Sequence, residues 1–184
     1  MTIVIVLAVG VLVAFFIVAM YNRLVKLRVT AQNAWSDIDV QLKRRADLVP
    51  NLVETVKGYA GHERSTLEAV TAARARAVAA HGAGPAERAA AEAALTGALQ
   101  GFTLAMEDYP ELQAAENFRD LQAELSQTED QISDSRRYYN AVVRDLNTAV
   151  QTFPSNLLAG PMGFQEREFF QAAEAERATP AVRF

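Results

Sequence analysis

From Ile3 to Met20 the chain is almost wholly aliphatic, and residues 2–22 carry no charged side chain. Arg23, Lys26 and Arg28 follow directly. At helical rise this run spans about 27 Å, close to the hydrocarbon thickness of a bilayer. A core helix of that length normally shows a polar stripe. A cleaved signal peptide shows a basic start, a shorter apolar stretch and a small-x-small cleavage site. Nothing basic precedes Thr2, and Met20-Tyr21-Asn22-Arg23 does not match such a site. The pattern predicts an uncleaved anchor over 1–22, built on Ile3, Leu7, Val11, Phe15, Phe16 and Met20. All three nearby positive charges lie on its C-terminal side, so the expected topology is N-terminus outside and residues 23–184 cytoplasmic.

Beyond the anchor the pattern changes to a heptad. Ala31, Trp35, Ile38, Leu42, Arg45, Val49, Leu52, Val56 and Tyr59 alternate at spacings of four and three, with Asp37, Asp39, Lys43, Arg44, Asp47, Glu54 and Lys57 between them. This is a helix with one buried stripe and one solvated face, packed as in bundles and coiled coils. No turn signal separates it from the anchor. Pro50 falls inside it and predicts a bend rather than a break, because the apolar phase persists on both sides. Gly58 and Gly61 offer a stop.

Half of the residues from Ala69 to Ala98 are alanine, divided by His81-Gly82-Ala83-Gly84-Pro85. Two Ala-rich helices joined by a tight turn are expected, with Leu67, Val70 and Ala77 inward on the first. Leu95, Leu99, Phe102 and Met106 point inward on the second. Asp108-Tyr109-Pro110-Glu111 resembles a helix start, and a second heptad follows at Phe118, Leu121, Leu125, Thr128, Ile132, Ser135, Tyr139, Val142, Leu146, Ala149 and Phe153. Pro154 ends it. The fold class is therefore all-α: a single transmembrane helix, then an antiparallel bundle of long helices. The expected organisation is an anchor over 1–22 and a bundle domain over 23–163. Its helices run near 23–60, 63–80, 85–107 and 109–153, and an aromatic segment with a frayed tail occupies 164–184.

Composition narrows the chemistry. All 18 Lys and Arg and all 22 Asp and Glu follow the anchor, for a net charge of −4. A mildly acidic domain lacks the basic patch that nucleic-acid binders show. There is no cysteine, so disulfides and thiolate chemistry are excluded. His62-Glu63 begins like a zinc-protease helix, but Thr66 stands where the second histidine is needed, and His81 is the only other histidine. No phosphate loop, carboxylate–histidine pair or serine triad is visible, so the chain reads as non-enzymatic, with no cofactor or metal.

Several polar and aromatic positions remain as candidates. Arg45 holds a core position, which reads first as a guanidinium paired with a core-edge carboxylate or reaching to solvent. Trp35 could lead a docking patch but lies on the core stripe. Phe164, Phe169 and Phe170 could meet a partner or the membrane interface, yet folding back onto the bundle keeps three phenyl rings out of water.

The local motifs resemble the LemA family. They are Tyr21-Asn22-x-Leu24-Val25, Trp35-x-x-Ile38-Asp39, Arg45-x-Asp47-Leu48-x-Pro50-Asn51-Leu52-Val53, Tyr59 and His62-Glu63, then Tyr109-Pro110-Glu111-Leu112, Arg136, Tyr139-Asn140, Asn147, Phe153-Pro154, Gly163-Phe164 and Phe169-Phe170. Ala46 stands where many members carry histidine. The resemblance spans nearly the whole chain and implies a bacterial single-pass membrane protein with an antiparallel helical domain, in a family with no established enzymatic activity; the expected location is the inner membrane. One relative takes part in forming the magnetosome membrane, so a membrane-organising role is implied by analogy. Trp35, Arg45, Pro50, Asn51, Tyr139, Phe164, Phe169 and Phe170 are the candidate interaction or signature residues. The expected function is a membrane-anchored scaffold or adaptor, in contact with the lipid bilayer and forming homo-oligomers. The alternative is a regulatory accessory subunit of another membrane protein, in signalling or a stress response, for example the partner of a protease; an unidentified membrane or cytoplasmic protein is a further expected partner.

Overall fold

The computed structural model describes residues 1–59 and 63–171, and every regular element among them is helical. α1 runs from Thr2 to Lys57. α2 (Arg64–Ala79) and α3 (Pro85–Ala105) follow, and a single 3-10 turn over Met106–Asp108 extends the latter. α4 (Pro110–Ala114), α5 (Glu116–Gln151) and the short α6 (Asn156–Ala159) complete the elements among the described residues. The expected all-α class is the one found. The Gly61 stop, His62 and the tail over 172–184 lie outside the described residues.

Two units can be distinguished, one from Met1–Ser36 with Tyr138–Arg167 and the other from Asp37–Arg137 with the described residues from Glu168 on. In the first, the N-terminal part of α1 turns its apolar side chains outward. Ile3, Leu7, Val11, Phe15 and Phe16 are all exposed, and the helix is long and apolar enough to cross a membrane. Leu24 is where burial begins. It joins Ala149 of α5, Ala159 of α6 and Phe164 in a small core, with Val25, Leu27, Val150 and Met162 at its margin. Further along α1, Trp35 meets Tyr139, with ring centroids 5.3 Å apart. As numbering rises along α1 it falls along α5, so the two helices run antiparallel here.

The second unit holds the larger core. Val49, Leu52 and Val56 of α1, Leu67, Val70, Ala73 and Ala77 of α2, and Leu95 and Phe102 of α3 pack with Met106, Leu112 and Phe118. α2 and α3 form the expected hairpin, and alanine on their facing sides permits close approach. Gly82, at φ +84°, makes the turn between them, a left-handed conformation open to glycine at little cost.

Three expectations are corrected. The helix expected over 109–153 is interrupted at Ala115, whose ψ of 127° is extended. The reason lies in Leu112 and Phe118, both fully buried in one core. In an unbroken helix, at about 100° per residue, six positions would set them roughly 120° apart. Tyr59 and Phe153, read as the last core positions of their heptads, are exposed. Each lies past the end of its helix, at Lys57 and Gln151, where the period no longer governs direction.

Candidate functional site

The most buried charges of the second unit converge on Arg45, which is only 2% exposed despite its length. The heptad of α1 forces its side chain inward, so its hydrogen-bonding groups require partners there. Nη1 donates to Thr96 Oγ1 at 2.9 Å and to Glu129 Oε2 at 2.5 Å. Nη2 donates to Glu92 Oε2 at 2.6 Å. Glu92, 4% exposed, also lies 3.3 Å from Arg88 Nε. Arg88 in turn reaches Asp39 of α1 at 3.4 Å and donates to the carbonyl of Ala77, in the last turn of α2, at 2.5 Å. His81 Nδ1 lies 3.2 Å from the same Asp39 carboxylate. Two arginines and three carboxylates thus tie α1, α2, α3 and α5 together, each buried charge facing an opposite one. Buried pairs of this kind add little net stability, but removing one partner leaves the other charge uncompensated.

A cleft of about 720 Å³ opens over this network between α3 and α5. Arg45, Thr96 and Glu129 lie among its lining residues, together with Leu99, Leu104 and Leu125. The guanidinium is already held by two carboxylates, so the cleft offers apolar contact and hydroxyl or amide hydrogen bonds rather than an anion site. Among the described residues no group of His, Cys, Asp and Glu could hold a metal ion.

Pro50 affects the same unit through the backbone. Lacking an N–H, it leaves the carbonyl of Ala46, four residues earlier, without its helical donor. Arg74 of α2 supplies the missing bond, with Nε 2.7 Å from the Ala46 oxygen. Asn51, beside it, is exposed.

The aromatic candidates divide between the units. Trp35 and Tyr139 pack on each other in the first. Gly163, at φ +74°, turns the chain so that Phe164 enters the small core. Tyr21 meets that ring edge-on at 5.7 Å and the Arg28 guanidinium lies 4.9 Å from its centroid. Asn147 of α5 then clamps the following strand of chain, accepting from Arg167 N at 2.8 Å and donating to Arg167 O at 2.9 Å. In the second unit Phe170 is buried, beside a small space shared with Arg45, Glu92 and Ile132. Phe169 is exposed against Ala86, Ala89, Ala90 and Ala93 of α3.

Arg88, Glu92 and Arg74 were not singled out by sequence. A signal for two of them existed. The inward series Leu95, Leu99, Phe102 and Met106, carried backwards at the same spacing, lands on Glu92 and Arg88.

A family model described as the LemA family matches residues 34–184. The chain is 29% identical over 165 residues to Protein LemA of Metamycoplasma hominis, covering 89% of this chain and 74% of that protein. It is 28% identical over 179 residues to Magnetosome protein MamQ 2 of Paramagnetospirillum magneticum, 84% of this chain and 66% of that one. Magnetosome protein MamQ of Magnetospirillum gryphiswaldense is 29% identical over 200 residues, with 93% and 74% covered.

Proposed function

The chain belongs to the LemA family, and from that premise we propose that it is a non-enzymatic, membrane-anchored helical scaffold or adaptor. It self-assembles and organises the membrane, or proteins within it. The observation that carries this is the outward-facing apolar surface of α1 over residues 3–18, continuous in one helix with the packed segment that begins at Leu24. An anchor joined to its domain without a break transmits orientation, which a flexible linker would not. Likeness to magnetosome proteins supports the membrane-organising part. The membrane is the bacterial inner one, with the N-terminus outside and the bulk of the chain cytoplasmic; single-cysteine labelling from either side of the bilayer reads this orientation directly.

The absence of cysteine makes a clean test available. A Val11→Cys variant, oxidised in its native membrane, is expected to give mainly disulfide-linked copies of itself. If the cysteine is instead captured by one different membrane protein, the chain is an accessory subunit of that protein. The cleft over Arg45 is the feature that favours this second possibility, because its leucines could receive a partner's apolar side chains.

A further inference from the structure

The segment after α5 is uncharged and exposes large apolar side chains. From Leu146 to Gln165 the sequence contains no charged residue and no histidine, a second uncharged run far from the anchor in sequence. Within it Phe153 is 78% exposed and Leu157 63% exposed. The chain is held by polar contacts where α5 ends, with Thr152 N donating to the Thr148 carbonyl. The Ser155 hydroxyl lies 2.5 Å from the Ala149 oxygen and 2.9 Å from that of Thr152. The turn is therefore held closed by side-chain-to-backbone contacts while Phe153 and Leu157 point away.

Its position in the unit indicates what those side chains meet. A groove of about 340 Å³ separates the turn from α1, lined on one side by Phe153 and Pro154 and on the other by Phe16, Met20 and Arg23. The turn thus stands level with the end of the apolar run, where Arg23, the first Lys or Arg of the chain, begins the basic cluster. An anchor that crosses the bilayer places that level at the boundary between acyl chains and headgroups. Aromatic and aliphatic side chains on an uncharged, hydrogen-bonded turn favour that boundary.

We propose that the Phe153–Leu157 turn inserts shallowly into the leaflet at which the anchor ends, with a phospholipid acyl chain seated in the groove between Phe16 and Phe153. The inference rests on the anchored reading above, and adds a second membrane contact that limits the depth and rotation of α1. Because Phe153 and Leu157 are exposed, replacing them leaves both cores intact.

The test uses the full chain, reconstituted in phosphatidylcholine and phosphatidylglycerol vesicles. Single cysteines at Phe153→Cys, Leu157→Cys, Val11→Cys and Asp145→Cys each carry an environment-sensitive fluorophore. The labels at 153 and 157 are expected to emit to the blue of that at 145 and to lose emission to nitroxides placed high on the acyl chain, with little loss to aqueous iodide. Iodide quenching at 153 and 157 equal to that at 145, with Val11 still quenched by deep nitroxides, overturns the turn's insertion and leaves the anchor standing. Shielding of 153 and 157 from both quenchers overturns it too, in favour of a protein partner such as a second copy. No lipid quenching at Val11 overturns the anchor and the turn together.

Discussion

Arg45 illustrates how a heptad can dictate a charge network. A guanidinium at a core position obliges its neighbours to provide acceptors, and Glu92, Glu129 and Thr96 do so from two other helices. The network is asymmetric in its costs. Removing Glu92 by Glu92→Ala leaves both Arg45 and Arg88 short of their shared partner inside the unit, with an expected loss of about 3–5 kcal/mol. Arg44 pairs with Glu124 at 2.8 Å, but both side chains are more than 40% exposed, so Arg44→Ala should cost under about 1 kcal/mol. Urea denaturation of the two variants side by side checks the contrast; equal losses would mean that the buried cluster is not the tie described. The position of Arg45 was legible from period alone, whereas Arg88 and Glu92 emerge only when the inward series of α3 is carried back through the alanines around them. An i,i+4 ion pair in an Ala-rich helix has the same spacing as a solvated face.

Among the elements, α1 and α2 share a side-chain-to-backbone hydrogen bond that sequence could not disclose. Pro50 frees the Ala46 carbonyl, and only the packing of α2 shows that Arg74 takes it. Arg74→Ala should therefore cost roughly 1–3 kcal/mol through an unsatisfied carbonyl. The cost should shrink when Pro50→Ala restores the N–H within α1. A double-mutant cycle measures this, and strictly additive effects would remove the link between the two residues. Element existence was readable wherever the apolar period was long: α1, the α2–α3 hairpin and α5 all occur where the pattern places them. Element ends were not. Tyr59 and Phe153 continue their heptads on paper after the helices have stopped, and the break at Ala115 answers to the joint burial of Leu112 and Phe118, which period does not encode. Phe164 enters the small core, as its aromatic character predicts. Its actual partners, Tyr21 and Arg28, lie at the end of the apolar run of α1, a pairing no local signal announces.

For the molecule as a whole, the helical class and a first helix long and apolar enough to cross a membrane follow from the sequence, and family membership from its motifs. What it does there depends on whether the exposed apolar length of α1 meets only lipid or also other copies. In a bilayer, apolar helices gain little from hiding from lipid, so association relies on close packing and on contacts outside the membrane. A scaffold that assembles through its anchor should behave differently with and without it. Light scattering of the detergent-solubilised chain, with detergent mass subtracted, gives the most direct answer. The full-length protein is expected at several times its 20.1 kDa, and a version lacking residues 1–18, which retains Leu24 and the small core around it, is expected to fall toward a single copy. One copy per particle for both would contradict self-assembly and leave the chain an anchored monomer in search of a different partner.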